Sequence, residues 1–205
     1  MEYTALIVVA YLVPVLMWWL GLLGTWFWLP WLSLPLGFWH TGATVVIMPK
    51  AVPRAILDAI ARERVTYLYA VPTVYASLLA VLDRERHDVS SLRLLGGGTA
   101  PMTAAQVHRI RDAFRCRDMV ILYGSTEAGP VSMLRPPDVA RKPEAVGRAY
   151  LDVDVPLGDE EGRDVPPGAT GEIVARSEFT MRGYWRNPEE TARTKHDGWV
   201  HTGDL

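Results

Sequence analysis

Leu92-Arg-Leu-Leu95 runs into the triplet Gly96-Gly-Gly98, and Met119-Val-Ile-Leu-Tyr123 follows after a segment of helical spacing. Short apolar runs bounded by glycine or proline read as buried strands. Between them, Thr103 with Gln106 three residues later has the spacing of a capping box, and Val107, Ile110 and Phe114 supply an apolar stripe. A strand, a helix and a strand joined by short links imply parallel strands with a right-handed helical crossover. The fold class expected here is therefore α/β.

The same alternation extends toward the N-terminus. Thr44-Val-Val-Ile-Met48 reads as a strand ended by Pro49. Pro53 can occupy the first turn of a helix whose Ile56, Leu57, Ile60 and Ala61 share a face. Val65-Thr-Tyr-Leu-Tyr-Ala-Val71 reads as the next strand. Beyond Pro72-Thr73, the residues Val74, Leu78, Leu79 and Leu82 recur at helical spacing. Toward the C-terminus the pattern changes after Pro136-Pro137. Val146 to Val155 and Gly171-Glu-Ile-Val-Ala-Arg176 read as short strands between Gly- and Pro-rich turns, a small β-rich subdomain suggesting a partial barrel. Asn187 can cap a short helix with Pro188 at its first position and Glu190 in its first turn. The expected organisation is 1–40 apolar and Trp-rich, 41–137 α/β, and 138–205 β-rich.

Composition narrows the function classes. The chain has 205 residues, 49% hydrophobic and 21% charged, enough to bury a core. A net charge of −2 argues against a nucleic-acid-binding module, which needs a basic surplus to neutralise phosphates. One cysteine, Cys116, excludes an internal disulfide framework and reads as an inert core residue. The totals favour a cytoplasmic protein that handles small molecules.

The first fifth of the chain departs from those totals. No Lys, Arg, Asp or Glu lies between Glu2 and Lys50, and six of the eight tryptophans fall there. Residues 5–29 are long and apolar enough for a candidate membrane helix, since a ~30 Å hydrocarbon core takes roughly 20 helical residues. Pro14, Gly21 and Gly24 weaken such a helix. Two other readings stand beside it: a buried strand–helix–strand run, and a stretch outside its native reading frame.

Ligands of open parallel sheets bind at the carboxyl ends of strands. Two such ends carry polar, Gly-rich signals, Gly96-Gly-Gly-Thr-Ala-Pro-Met102 and Tyr123-Gly-Ser-Thr-Glu127. Glycines admit a ligand close to backbone N–H groups, and Pro101 stiffens the exit. Tyr123 offers a flat ring for a base, Thr126 a hydroxyl for an anion, and Glu127 a hard oxygen ligand suited to Mg²⁺. Together they suit a magnesium-bound nucleotide. Each signal alone also fits a plain turn or a helix start. The Walker loop, the dinucleotide glycine pattern and the Gly-x-Ser-x-Gly elbow are all absent.

Three C-terminal stretches add a resemblance. Gly171-Glu-Ile, Met181-Arg-Gly-Tyr-Trp-Arg-Asn-Pro-Glu-Glu-Thr191 and Asp197-Gly-Trp-Val-His-Thr-Gly-Asp-Leu205 closely resemble the acyl-CoA synthetases (fatty-acid–CoA ligases) of the adenylate-forming superfamily. Tyr123 to Glu127 is similar to that family's aromatic-Gly-x-Thr-Glu motif, Gly97 to Met102 to its Gly-Gly-x-x-Pro segment, and Val71 to Leu79 to its helix beside the acyl pocket. The resemblance runs from about Gly42 to Leu205. It implies part of the family's parallel-sheet subdomain followed by the small β-rich one. It also implies conversion of a carboxylic acid and MgATP to acyl-AMP and pyrophosphate, then transfer to coenzyme A.

Residue by residue, the resemblance implies that Tyr123 stacks on adenine while Gly98, Thr99, Ala100 and Pro101 line the adenine and acyl pockets. Gly124 and Ser125 belong to the nucleotide-binding turn. Thr126 meets the α-phosphate or the carboxylate, Glu127 holds Mg²⁺, and these two are the catalytic candidates. Asp204 accepts from the ribose hydroxyls. Trp185 and Trp199 are expected to pack, and His201 to steady its strand. The family's triphosphate-gripping loop has no counterpart upstream, and the chain stops just after the ribose motif. The expectation is a fragment with little turnover alone. The rival reading is a non-catalytic AMP- or acyl-binding remnant, or a membrane-anchored interaction protein. The acyl substrate and the oligomeric state have no marker in the sequence.

Overall fold

The computed structural model describes residues 4–8, 36–48, 50–159 and 163–205, which form two compact units. The first unit comprises Met1–Ile121 and Leu134–Ala145, the second Leu122–Met133 and Val146–Leu205.

In the first unit, strands β1 (Thr4–Val8), β2 (Thr44–Met48), β3 (Tyr67–Tyr69) and β4 (Leu94–Gly98) lie in the order β2-β1-β3-β4. Each neighbouring pair is parallel, with Leu6 opposite Val46 on one side and Leu68 on the other, and Leu68 opposite Leu95. Strand β5 (Met119–Ser125) begins in this unit. Helices α1 (Pro53–Glu63), α2 (Pro72–Leu82) and α3 (Ala104–Ala113) are the crossovers. Proline opens α1 and α2, where its missing N–H has no partner to lose. Helix α3 opens on a complete capping box: Thr103 Oγ1 accepts from the Gln106 amide, and the Gln106 side chain accepts from the Thr103 amide. The short helix α4 (Pro136–Arg141) also belongs to this unit.

The core of this unit sets Ile56, Leu57 and Ile60 of α1 and Leu78 of α2 with Leu68, Leu95, Val107, Phe114 and Met119. Tyr75 is fully buried among them. Its hydroxyl lies 2.9 Å from the Gly96 carbonyl and 3.2 Å from that of Leu68, so α2 is tied to both β3 and β4. Its ring meets Phe114 edge-on at 5.9 Å. Burial drives the phenol's pKa well above its ordinary value, leaving it a neutral donor. Cys116 is buried as well, with Sγ 3.5 Å from the Asp118 carbonyl, and burial raises its thiol pKa.

Two expectations change. The membrane helix over 5–29 fails at its start, because residues 5–8 belong to β1, inside a parallel sheet with a neighbour on each side. Strands of parallel sheets commonly read as near-continuous apolar runs, a pattern that a membrane span shares. Residues 9–29 lie outside the described residues, and no helix among the described residues is long and apolar enough to cross a membrane. Second, the glycine triplet forms the end of β4 rather than a loop after it. A Cβ on Gly96 would run into the Tyr67 hydroxyl and the Tyr69 ring, and one on Gly97 would sit 2.5 Å from Met102 Cε. Packing alone demands small residues there.

The second unit holds the end of β5, β6 (Gly129–Leu134) up to Met133, β7 (Arg148–Ala149) and a separate four-stranded antiparallel sheet. That sheet orders β10 (Lys195–His196), β11 (Trp199–His201), β9 (Glu172–Ala175) and β8 (Leu157–Gly158), with each neighbouring pair antiparallel. It is open, so the partial barrel is an open sheet. Ala128, Val131, Ala175 and Val200 form its small core with Tyr123, Val155 and Ile173 against them. Helix α5 (Pro188–Thr194) starts at Asn187, whose side chain accepts from the Glu190 amide.

Candidate functional site

The second unit builds its site from the β5–β6 turn, the strand pair β9–β11 and the segment before α5. The turn is tight because Gly124 has no Cβ: one placed there would overlap the Gly129 carbonyl oxygen. Ser125 Oγ accepts from the Ala128 amide at 3.0 Å, closing the turn over Thr126 and Glu127. Thr126 stands exposed at its tip.

Tyr123 and Asp204, 81 residues apart in sequence, meet here. The Tyr123 hydroxyl donates to Asp204 Oδ2 at 2.6 Å. Burial first, and then the Asp204 carboxylate, push the Tyr123 pKa up to about 12, so the phenol stays protonated. The backbone around Asp204 is fixed as well: its carbonyl accepts from the Ile173 amide at 2.8 Å, and its amide donates to Thr202 Oγ1 at 3.2 Å.

Glu127 is held by a residue with no role assigned from sequence. Tyr184 donates its hydroxyl to Glu127 Oε1 at 3.0 Å, and the Met181 amide donates to the Glu127 carbonyl at 2.7 Å. The Tyr184 amide in turn donates to Thr191 Oγ1 in α5 at 2.8 Å. Glu172 forms a second carboxylate centre, contacting His201 Nδ1 and the Gly203 amide, each at 2.8 Å. His201 stacks on His196, ring centroids 4.0 Å apart, which fits a strand-steadying part. A cavity of about 380 Å³ is bordered by Ser125, Glu127, Glu172, Tyr184, His201 and Thr202, among others.

The remaining sequence candidates sit in the first unit. Gly98 ends β4 and is buried, Thr99 follows at φ +66°, and Thr99, Ala100 and Pro101 are exposed. A β-branched residue in that left-handed region is strained, by about 1–3 kcal/mol. The two tryptophans differ. Trp199 lies under the Arg176 guanidinium at 4.3 Å, whereas Trp185 is 79% exposed and is not a packing residue. Sequence reasoning passed over Glu172 and Tyr184, although both stand within the C-terminal motif stretches, because nothing local marks what they reach.

The donor set at Glu127 fits magnesium. Its Oε1 is oriented by Tyr184, its side chain borders the cavity, and carboxylate oxygen is the donor Mg²⁺ prefers. Among the described residues no three His, Cys, Asp or Glu side chains gather into a metal cage. Magnesium is commonly held by one or two carboxylates plus substrate phosphates, which one Glu can serve.

The sequence and the fold are both similar to those of known proteins. Residues 14–185 match the family model described as AMP-binding enzyme. A feruloyl-CoA synthase of Amycolatopsis sp is 41% identical over 165 residues, covering 80% of this chain and 33% of that protein. An indoleacetate–CoA ligase of Aromatoleum aromaticum is 37% identical over 166 residues, covering 80% and 32%. The solved structure of the anthranilate CoA ligase AuaEII in complex with anthranoyl-AMP superposes with a TM-score of 0.72 at 33% identity, covering 79% of this chain and 31% of that one. The chain thus spans about a third of the length of the curated relatives it matches. With a family match over most of its length, the chain belongs to the AMP-binding enzyme family.

Proposed function

We propose that this chain supplies the adenylate-binding part of an enzyme that activates a carboxylic acid with ATP and passes the acyl group to coenzyme A. The observation that carries this reading is the 2.6 Å contact between Tyr123 and Asp204. A nucleoside presents a flat base joined to a vicinal diol. Tyr123 offers a stacking face, and Asp204 beside it offers an anionic acceptor that two O–H donors can share.

The chemistry explains the other roles. A carboxylate is a poor electrophile; joined to AMP as a mixed anhydride, with pyrophosphate leaving, it gains a good leaving group. The coenzyme A thiol then attacks the acyl carbonyl and AMP departs. Thr126, at the tip of the turn, donates its hydroxyl to the α-phosphate or the incoming carboxylate. Gly98, Thr99, Ala100 and Pro101 are the residues that the resemblance assigns to the adenine and acyl pockets, while Gly124 and Ser125 keep the turn tight. Glu127, oriented by Tyr184, would hold the magnesium ion, whose charge would offset the repulsion as two anions approach.

Calorimetric titration of the purified chain with AMP and with a non-hydrolysable aryl-adenylate analogue tests the reading. Both should bind, and Tyr123→Ala should weaken AMP about tenfold, the usual scale for losing one base–aromatic stack. Asp204→Asn should weaken it similarly. Absence of binding, or binding indifferent to both substitutions, would sink the proposal.

A further inference from the structure

The turn that carries Asp204 is gripped by a side chain from the adjacent strand. Glu172, the first residue of β9, uses both carboxylate oxygens: Oε1 accepts from the Gly203 amide, and Oε2 faces His201 Nδ1, each at 2.8 Å. His201 is the last residue of β11, so one carboxylate spans a strand end and the turn beyond it. Thr202 Oγ1 donates to the Ile173 carbonyl at 2.6 Å, and the Ile173 amide donates to the Asp204 carbonyl at 2.8 Å. Residues 202, 203 and 204 are each tied to β9. The Asp204 side chain is left to meet the Tyr123 hydroxyl.

Glu172 is largely shielded, its side chain 26% exposed. Burial alone would favour its neutral form, but the hydrogen bonds from His201 and Gly203 outweigh that and hold its pKa below the ordinary 4.5. It therefore stays an anion at neutral pH, and charge-assisted bonds of this kind are stronger than neutral ones.

We propose that Glu172 is a positioning residue for diol recognition, its two-armed grip on His201 and Gly203 fixing the direction in which Asp204 presents its carboxylate. The inference rests on the nucleoside reading above and adds a residue to it. Two hydroxyls can share one carboxylate only when its plane faces them, so a turn free to swing loses the second bond.

The test compares AMP with 2′,3′-dideoxy-AMP by equilibrium binding to the full chain, alongside Gly203 amide exchange without ligand. Wild-type protein should prefer AMP, and Asp204→Asn should abolish the preference. Glu172→Ala should cut the preference about tenfold, the scale of a hydrogen bond to a charged group, and speed Gly203 exchange. Glu172→Gln should retain most of both, since its amide oxygen still accepts from Gly203. His201→Phe keeps a ring against His196 but removes the Oε2 partner, and should lose part of the preference even if the alanine variant fails to fold. Full preference with unchanged Gly203 exchange in folded Glu172→Ala, or full preference in His201→Phe, overturns the assignment. A wild-type protein indifferent to the diol overturns the nucleoside reading itself, and the Glu172 assignment with it.

Discussion

Tyr123 has a ring and a hydroxyl on one side chain, and the two separate chemically. The ring is what a base would stack on; the hydroxyl is what Asp204 accepts from at 2.6 Å. Burial and the neighbouring carboxylate raise its pKa from 10.0 to about 12. Folding thus favours the protonated phenol. Its contribution to stability is intact below pH 10 and is lost as pH climbs toward 12. A phenolate absorbance titration should show a late-ionising tyrosine that Tyr123→Phe lacks, and the variant's stability should fall less steeply over that interval. Equal slopes in the two proteins would show that the hydroxyl is not coupled to folding. The candidate ring was legible in the sequence; its partner was not, because no local pattern pairs residues 81 positions apart.

At the scale of elements, the features set by local chemistry were readable in advance. The capping box of α3, the proline that opens α1 and the Asn187 cap of α5 all depend on groups within one turn of the helix start. Thr103→Ala should cost about 1 kcal/mol, read as a shift in urea midpoint at unchanged slope, because Thr103 is exposed and the substitution removes a cap without opening a cavity. A change well under that size would mean that Gln106 holds the helix start alone. What was not readable depended on distant partners. Gly96 and Gly97 belong to a strand because Tyr67, Tyr69 and Met102 fill the space beside them. Residues 5–8 took on the look of a membrane segment because their neighbours β2 and β3 come from far along the chain. The same holds at the site, where Glu172 meets groups 29 and 31 residues away and Tyr184 meets one 57 residues away.

Across the whole molecule, the two units differ in how much apolar surface backs their strands. The first has an extensive core around Ile56, Leu68, Tyr75, Leu95 and Phe114, while the second relies on Ala128, Val131, Ala175 and Val200. Opening free energies follow buried contacts, so amides of β3 and β4 should exchange far more slowly than those of β8 to β11. The chain's sequence shows a composition change after Pro136-Pro137, yet nothing in it foretells that residues 122–133 pack with the later unit. Saturating AMP should slow exchange most at residues 172–175 and 199–204, since a ligand stabilises the state it binds. Uniform slowing throughout, or slowing confined to the first unit, would place the nucleotide elsewhere.

The phenol–carboxylate contact has one more consequence. A sugar arriving at Asp204 would meet a carboxylate that already holds a resident hydroxyl. Entry is then a change of company at Oδ2, one O–H giving way to another. A carboxylate arranged like this gains one fewer new bond from an arriving diol than a bare one would, so attachment there is exchange rather than capture.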